Sequence, residues 1–459
     1  MTTTAHHITH LNATELQSLH QQLRVEYDAL RSRSLKLDMT RGKPAPEQLD
    51  LSNAMLSLPG AAHFLTPSGD DARNYGGLQG LPEVRTLFAS LLGAPADQIV
   101  VATNSSLAIM HDCIVWALLK GVPGSPTPWS QSAAQAQANV NANANASASA
   151  ATPPTFLCPV PGYDRHFAIC EEYGIRMLPV PLTGHGPDMD QLEALVADPA
   201  QNIKGIWCVP KYSNPTGEIY SPETVQRLAS MPTAAPDFRI FWDNAYAVHH
   251  LTAHHDEVAN LLELCAKANH PDRAFVFAST SKITLAGSGL AFFASSPANV
   301  RWYLARAGKQ TIGPDKLNQL RHLLFLKDVA GLHRHMDAHR TLLAPKFQAV
   351  IATLDQRLAN TGVAQWVVPD GGYFISVDAT EGTARHVVEL SRDAGVALTP
   401  AGATWPYGRD PHDRTLRLAP SYPSLADVRA ASEVIALCIL LAAVEKHAKH
   451  HQPNSAAAQ

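Results

Sequence analysis

Residues 273–287 read RAFVFASTSKITLAG, an apolar run of strand length that ends in a lysine, Lys282, set among small hydroxyls. A lysine at the end of a buried strand must keep a charged partner, reach water or lose its proton. A solvated amine capping the strand is the ordinary outcome, so the stretch alone leaves its purpose open. Two further runs end in the same manner: KGIWCVP (204–210) leads into KYSNPTGE with Asn214, and FRIFWD (238–243) leads into NAY, which brings Asp243 and Tyr246. Four more runs of this kind, QIVVAT (98–103), TFLCPV (155–160), RMLPVP (176–181) and LAFFAS (290–295), make seven, separated by amphipathic helical stretches. That alternation predicts an α/β fold with a mostly parallel seven-stranded sheet covered by helices. In an open parallel sheet the ligand sits beyond the carboxyl ends of the strands. Asn214, Asp243, Tyr246, Ser279, Ser281 and Lys282 all fall there.

Outside this block the pattern changes. Residues 14–31 put Leu16, Leu19, Leu23, Tyr27 and Leu30 on one helical face, with Thr14 and Gln17 spaced as a capping box. Beyond about residue 325 come a long polar helix (328–360), short strands near YFISVD and LRLAPS, and a helix from 424 to about 448. The expected organisation is an N-terminal helix and arm (1–60) that contributes to a small α+β domain, a large domain (61–325), and the rest of the small domain (326–459). Residues 124–154 are charge-free, low in complexity and nearly free of large apolar groups, so they are expected to form a disordered loop.

Composition narrows the function. With 17% charged residues and a formal net charge of −4, the chain gives no electrostatic reason to expect nucleic acid or an anionic membrane as a partner. The six cysteines form no CxxC pair and sit mostly in apolar runs, which suits buried reduced thiols in a cytoplasmic protein. The first residues, MTTTAHHITHLNATELQ, lack a basic start followed by an apolar core, and no apolar run is long enough to span a bilayer. The histidine groups HHLTAHH (249–255) and HRHMDAH (333–339) contain i, i+4 pairs, but no cysteine or carboxylate completes a metal site. They read as exposed helix and loop histidines, with no metal expected.

Taken in order, the strand-end residues describe pyridoxal phosphate chemistry. A lysine amine forms a Schiff base with the cofactor aldehyde, a carboxylate keeps the pyridine nitrogen protonated, and phenol and amide groups bond the ring hydroxyl. A phosphate needs hydroxyls and backbone N–H groups at a helix start. NSSLAIMHDCIVWALLKG (104–121) offers Ser105 and Ser106 directly ahead of an amphipathic helix, although two serines there can equally serve only as caps.

SNPTG, DNAY, STSK and LRLAPSYP in this order, with TRGKP and IGPDK, resemble the class I aminotransferases of pyridoxal-phosphate fold type I, most of all the aspartate aminotransferase subgroup, over roughly residues 35–440. The resemblance implies that Lys282 is the Schiff-base lysine and proton shuttle. Asp243 would pair with the pyridine nitrogen, and Tyr246 and Asn214 would bond the ring hydroxyl. Tyr163, in VPGYDRH, would stack on the ring. Ser105, Ser106, Ser279 and Ser281 would belong to the cofactor site. Arg417 would grip the substrate α-carboxylate through its planar fork, and Gly42 would let the backbone approach that carboxylate. Tyr75, in RNYGGLQGLPEVR, resembles the tyrosine that reaches the neighbouring subunit's cofactor phosphate, which implies a homodimer with shared sites.

Two departures from the family pattern stand out. No arginine occurs between Lys282 and Arg301, where many members hold the phosphate, and the side-chain cation expected for a dicarboxylic substrate has only Lys309, Lys316 and Arg321 as candidates. The expected activity is transfer of the amino group of aspartate or glutamate to a 2-oxo acid. Other amino-acid specificities, a β-elimination lyase and a ligand-sensing regulator remain as alternatives; the regulator needs a DNA-binding module for which only about 35 residues are present ahead of the resemblance.

Overall fold

The computed structural model describes residues 7–125, 127–131, 152–254 and 256–451. Among these, twelve strands form, numbered along the chain: β1 (Leu37–Asp38), β2 (Ile99–Val101), β3 (Thr155–Val160), β4 (Arg176–Pro181), β5 (Ile203–Cys208), β6 (Arg239–Asp243), β7 (Ala274–Ser279), β8 (Ala291–Ala294), β9 (Ala364–Trp366), β10 (Ile375–Ala379), β11 (Val396–Ala397) and β12 (Thr415–Leu418). The seven apolar runs are β2 to β8, and they make one sheet in the order β2-β8-β7-β6-β5-β3-β4. β8 is antiparallel to both neighbours, and the other pairs are parallel. The chain thus adopts the expected α/β fold, with a mostly parallel seven-stranded sheet.

Alternate residues feed two separate cores. Ile240, Trp242 and Val276 enter the cluster on one face, and Phe241, Phe275 and Phe277 the cluster on the other. Strands covered on both faces have no solvent side to mark with polar residues, which is why each reads as a continuous apolar run. Asp243 is in register with Phe277, so the carboxyl ends of β6 and β7 lie side by side.

A third core gathers Leu16, Leu23 and Tyr27 of the Ala13–Arg31 helix with Phe347 and Leu354 of the Val329–Leu358 helix and Val434 and Leu437 of the Leu425–His451 helix. Against it lie an antiparallel sheet in the order β12-β10-β9 and a parallel β1-β11 pair. The Ala13–Arg31 helix buries the predicted face, but its cap differs from expectation. Asn12, not Thr14, is the N-cap: Asn12 Oδ1 accepts from Thr14 N and Glu15 N, both at 3.0 Å, and Glu15 Oε2 accepts from Asn12 N at 2.9 Å. The helix starts at Ala13, so Thr14 is already inside the first turn, and the short Asn12 side chain reaches the free N–H groups ahead of it.

Of the stretch expected to be a disordered loop at 124–154, residues 126 and 132–151 lie outside the described residues. Its beginning is ordered. Trp129–Gln131 forms a 3-10 turn, and Trp129 is fully buried with its ring centroid 5.9 Å from that of Phe156. One large aromatic is enough to anchor an otherwise featureless segment, because it buries far more apolar area than its alanine and serine neighbours. All six cysteines are buried and unpaired. Among the described residues no helix is long and apolar enough to cross a membrane.

Candidate active site

After β7 the chain turns sharply, with Ile283 N and Thr284 N both donating to Thr280 O at 2.9 Å, and Lys282 lies on this turn. The Lys282 amine sits 4.9 Å from the centroid of the Tyr246 ring. Burial pushes the Lys282 ammonium below the usual lysine range, opposed by the attraction of Asp243. Asp243, at the end of β6, is 3% exposed. Its Oδ2 accepts from His166 Nε2 at 3.2 Å, whereas its Oδ1 is buried without a hydrogen-bond partner. Asn214, in the loop after β5, also leaves its buried Oδ1 without a partner. Burying an acceptor without a donor costs about 1–3 kcal/mol. Two such oxygens, one of them on the aspartate whose charge acts on Lys282, are prepared for something that donates to them.

The two tyrosines at this site keep their protons. Burial first, then the negative charge of Asp243, pushes Tyr163 up to about 12. Burial pushes Tyr246 far above the ordinary tyrosine value, with Tyr163 and Asp243 adding to the shift. Tyr163 ends the loop after β3, and its ring meets that of His166 edge-on at 4.9 Å.

The Ser106–Lys120 helix points its N-terminus toward the same turn. Asn104 O accepts from Ser281 Oγ at 3.2 Å, and Asn104 Nδ2 donates to Gly287 O at 3.4 Å, so the start of this helix and the turn after Lys282 are tied together. Ser105 is the helix cap, its Oγ accepting from Ala108 N at 3.3 Å, while Ser106 is the first helical residue. Ser279 closes β7 at the same level. A helix start with hydroxyls around it favours an oxyanion.

Arg417, in the middle of β12, is 8% exposed. Its Nη1 donates to Asp164 Oδ1 at 3.0 Å, its guanidinium carbon is 4.9 Å from the Phe374 ring centroid, and its Nε has no partner. Gly42 packs on the same ring: a Cβ there would stand 2.4 Å from Phe374 Cζ, so any larger residue would displace the aromatic under Arg417. Tyr75 is 81% exposed and makes no side-chain hydrogen bond among the described residues. The candidate side-chain cations are occupied elsewhere or exposed. Lys316 Nζ donates to Asp71 O at 3.3 Å, Arg321 Nε donates to Leu58 O at 2.7 Å, and Lys309 is exposed.

Three features escaped the sequence reading. His166 and Asp164 both stand in the quoted VPGYDRH, at the start of the Asp164–Glu172 helix, yet a histidine or aspartate in a first helical turn carries no signal of its own. The histidines expected on the surface are mostly inside: His249 is 3% exposed, His339 is 1% exposed, and His335 is partly buried, whereas His254 and His333 are exposed and His255 lies outside the described residues. The i, i+4 spacing of His335 and His339 records one inward helix face, with His339 Nε2 3.2 Å from His335 Nε2.

Comparison with known proteins points to one family. The family described as aspartate amino-transferase matches residues 11–451. A Mycolicibacterium smegmatis protein, provisionally named an aminotransferase, is 52% identical over 438 residues, 95% of this chain and 97% of its own length. The crystal structure of an aspartate transaminase from Corynebacterium glutamicum is 45% identical, covers 97% of this chain and 100% of its own, and superposes with a TM-score of 0.89. At 20% identity, the α-aminoadipate aminotransferase of Thermus thermophilus, solved with N-(5′-phosphopyridoxyl)-L-leucine, shares the fold with a TM-score of 0.68 over 89% of this chain and 94% of its own. The chain belongs to the aspartate amino-transferase family.

Proposed function

We propose that this aminotransferase uses pyridoxal 5′-phosphate to move the amino group of L-aspartate or L-glutamate to a 2-oxo acid, with oxaloacetate and glutamate formed from aspartate and 2-oxoglutarate. The observation that carries the reading is the pair of adjacent strand ends: a buried aspartate oxygen lacking a donor on β6, and a lysine whose ammonium is disfavoured just beyond β7. The unpartnered buried oxygens of Asp243 and Asn214 support a cofactor bound here. Asp243 Oδ1 would accept from a protonated ring nitrogen, Asn214 and Tyr246 would bond the ring hydroxyl, and Tyr163 would lie against the ring. Ser106, Ser279, Ser281 and the helix start would receive the phosphate, with Ser105 holding that helix start in place.

When bound there, the cofactor supplies an aldehyde carbon that exchanges the amino group and a ring that withdraws electrons from the substrate Cα. The remaining work falls to the chain. Lys282, easily deprotonated because it is buried, takes the proton from Cα and returns it at the cofactor carbon. Asp243 keeps the ring nitrogen protonated. Arg417 binds the α-carboxylate and thereby orients Cα, its guanidinium held from one side by Asp164, whose Oδ1 accepts from Nη1 at 3.0 Å. Retaining that carboxylate works against decarboxylation.

In this reading the enzyme is a cytoplasmic homodimer. Its exposed Tyr75 suits a role in the partner's cofactor site, and its unpaired cysteines suit a reducing compartment. The test is to reconstitute the protein with pyridoxal phosphate and add L-aspartate without an acceptor. One oxaloacetate per site, with the cofactor's visible band moving to shorter wavelength, is expected. Conversion of some other amino acid but neither aspartate nor glutamate would overturn the substrate assignment. Failure to take up the cofactor would overturn the whole reading.

A further inference from the structure

The turn that carries Lys282 has carbonyls that its own backbone leaves unused. Thr280 O is taken by the N–H groups of Ile283 and Thr284. Two later carbonyls, those of Lys282 and Ile283, each find a histidine. His249 Nε2 donates to Lys282 O at 3.2 Å, and His335 Nε2 donates to Ile283 O at 2.6 Å. A third histidine, His322, donates from Nδ1 to Asn318 O at 2.8 Å and brings Nε2 within 3.1 Å of Thr280 Oγ1 and 2.9 Å of Thr284 Oγ1. These three come from the turn after β6, the Val329–Leu358 helix and the Lys316–Leu326 helix, so three separate elements close on five residues. Tyr373 OH also donates to Lys282 O at 3.4 Å, and behind it Gln48 Nε2 donates to Tyr373 OH at 2.9 Å and to His339 Nδ1 at 3.0 Å.

Burial holds the group uncharged: His249 is pushed down to about 3 and His322 to about 4, and His335 is lowered as well. No cation therefore forms behind the lysine at neutral pH. A neutral imidazole with one N–H and one lone pair also has a definite direction, which suits it to fix a carbonyl or a hydroxyl.

We propose that His249, His322 and His335 clamp the Lys282 turn as positioning residues, holding the backbone so that the amine swings between substrate Cα and cofactor carbon without its base shifting. The proposal rests on the reading of Lys282 as the reactive lysine. Misplacing a reacting group by about 1 Å costs on the order of a hundredfold in rate.

The experiment compares His249→Phe with His249→Gln, whose amide N–H can replace Nε2. In the reconstituted enzyme, His249→Phe is expected to lower kcat roughly 10- to 100-fold with KM for the amino acid unchanged, and His249→Gln to recover most of it. In the cofactor-free protein, hydrogen exchange of the peptide spanning 280–285 should accelerate in His249→Phe and not in His249→Gln. Wild-type kcat in His249→Phe, unchanged exchange in the turn, or equal losses in both variants overturns the clamp. Should His249→Phe not fold, His335→Phe and His335→Gln make the same comparison at Ile283 O, with the same outcomes required. The clamp and the lysine assignment fail separately: covalent capture of the cofactor by borohydride at Lys282 tests the second, and the exchange result tests the first.

Discussion

The two neighbouring strand ends that hold the site are backed by histidines in opposite ways. At β6, His166 touches the charged group itself, bonding Asp243 Oδ2 while its ring stacks on Trp207 at 4.4 Å with the planes 9° apart. At β7, the histidines touch the backbone and hydroxyls around Lys282 and leave the amine alone. The difference suits the roles proposed for the two groups. A carboxylate that must keep one oxygen aimed at a fixed atom gains from having its other oxygen held. An amine that must shuttle a proton gains from freedom at its tip and rigidity at its base.

Removing the fixed charge gives the largest effect. Asp243→Ala is expected to lower kcat by about 10²- to 10³-fold, the scale for losing one preorganised charge-stabilising group. Borohydride should still trap the cofactor on Lys282, because the lysine end of the site is supported independently. A variant that keeps wild-type kcat breaks the comparison, since Asp243 would then be no more than a strand cap.

A smaller loss is expected when the carboxylate stays and only its holder goes. His166→Phe retains a ring to stack on Trp207 but deletes the donor to Oδ2. It should reduce kcat about tenfold with KM unchanged, consistent with unpairing one buried hydrogen bond. A raised KM with unchanged kcat would place His166 in substrate binding and erase the contrast between the strand ends.

The β6 and β7 ends also show why some of the site was legible in the sequence. Asp243 ends a strand and Asn214, Tyr246 and Lys282 stand in the loops just after one, so local order along the chain places them, and continuous apolar runs marked every strand of the large sheet. The groups that hold them in place were not legible. His166 reaches Asp243 across 77 positions, His335 reaches Ile283 across 52, and Gln48 reaches Tyr373 across 325. Those contacts are products of helix packing, and no local pattern encodes them. The i, i+4 histidines looked like a solvent face because polarity was read without knowing that backbone carbonyls lay opposite.

The smallest effect concerns stability, and it belongs to the histidines around the Lys282 turn. His249 sits at about 3 in the folded chain, and His322 and His339 at about 4, all below the ordinary 6.5. Between those values and 6.5 the unfolded chain binds protons that the folded chain refuses, so stability falls as pH drops through this window. For each histidine the loss at about pH 5 is on the order of 2 kcal/mol. Glu218 acts in the opposite sense, since burial raises it to about 8 and the folded chain there holds a proton that the unfolded chain releases. Comparing variants removes that background. Urea unfolding at about pH 7.5 and about pH 5 should show a shallower loss for His249→Gln than for the wild type, by roughly 2 kcal/mol. An identical loss in both chains would mean that His249 titrates normally when folded, and the lysine turn would then carry a cation behind it at mildly acidic pH.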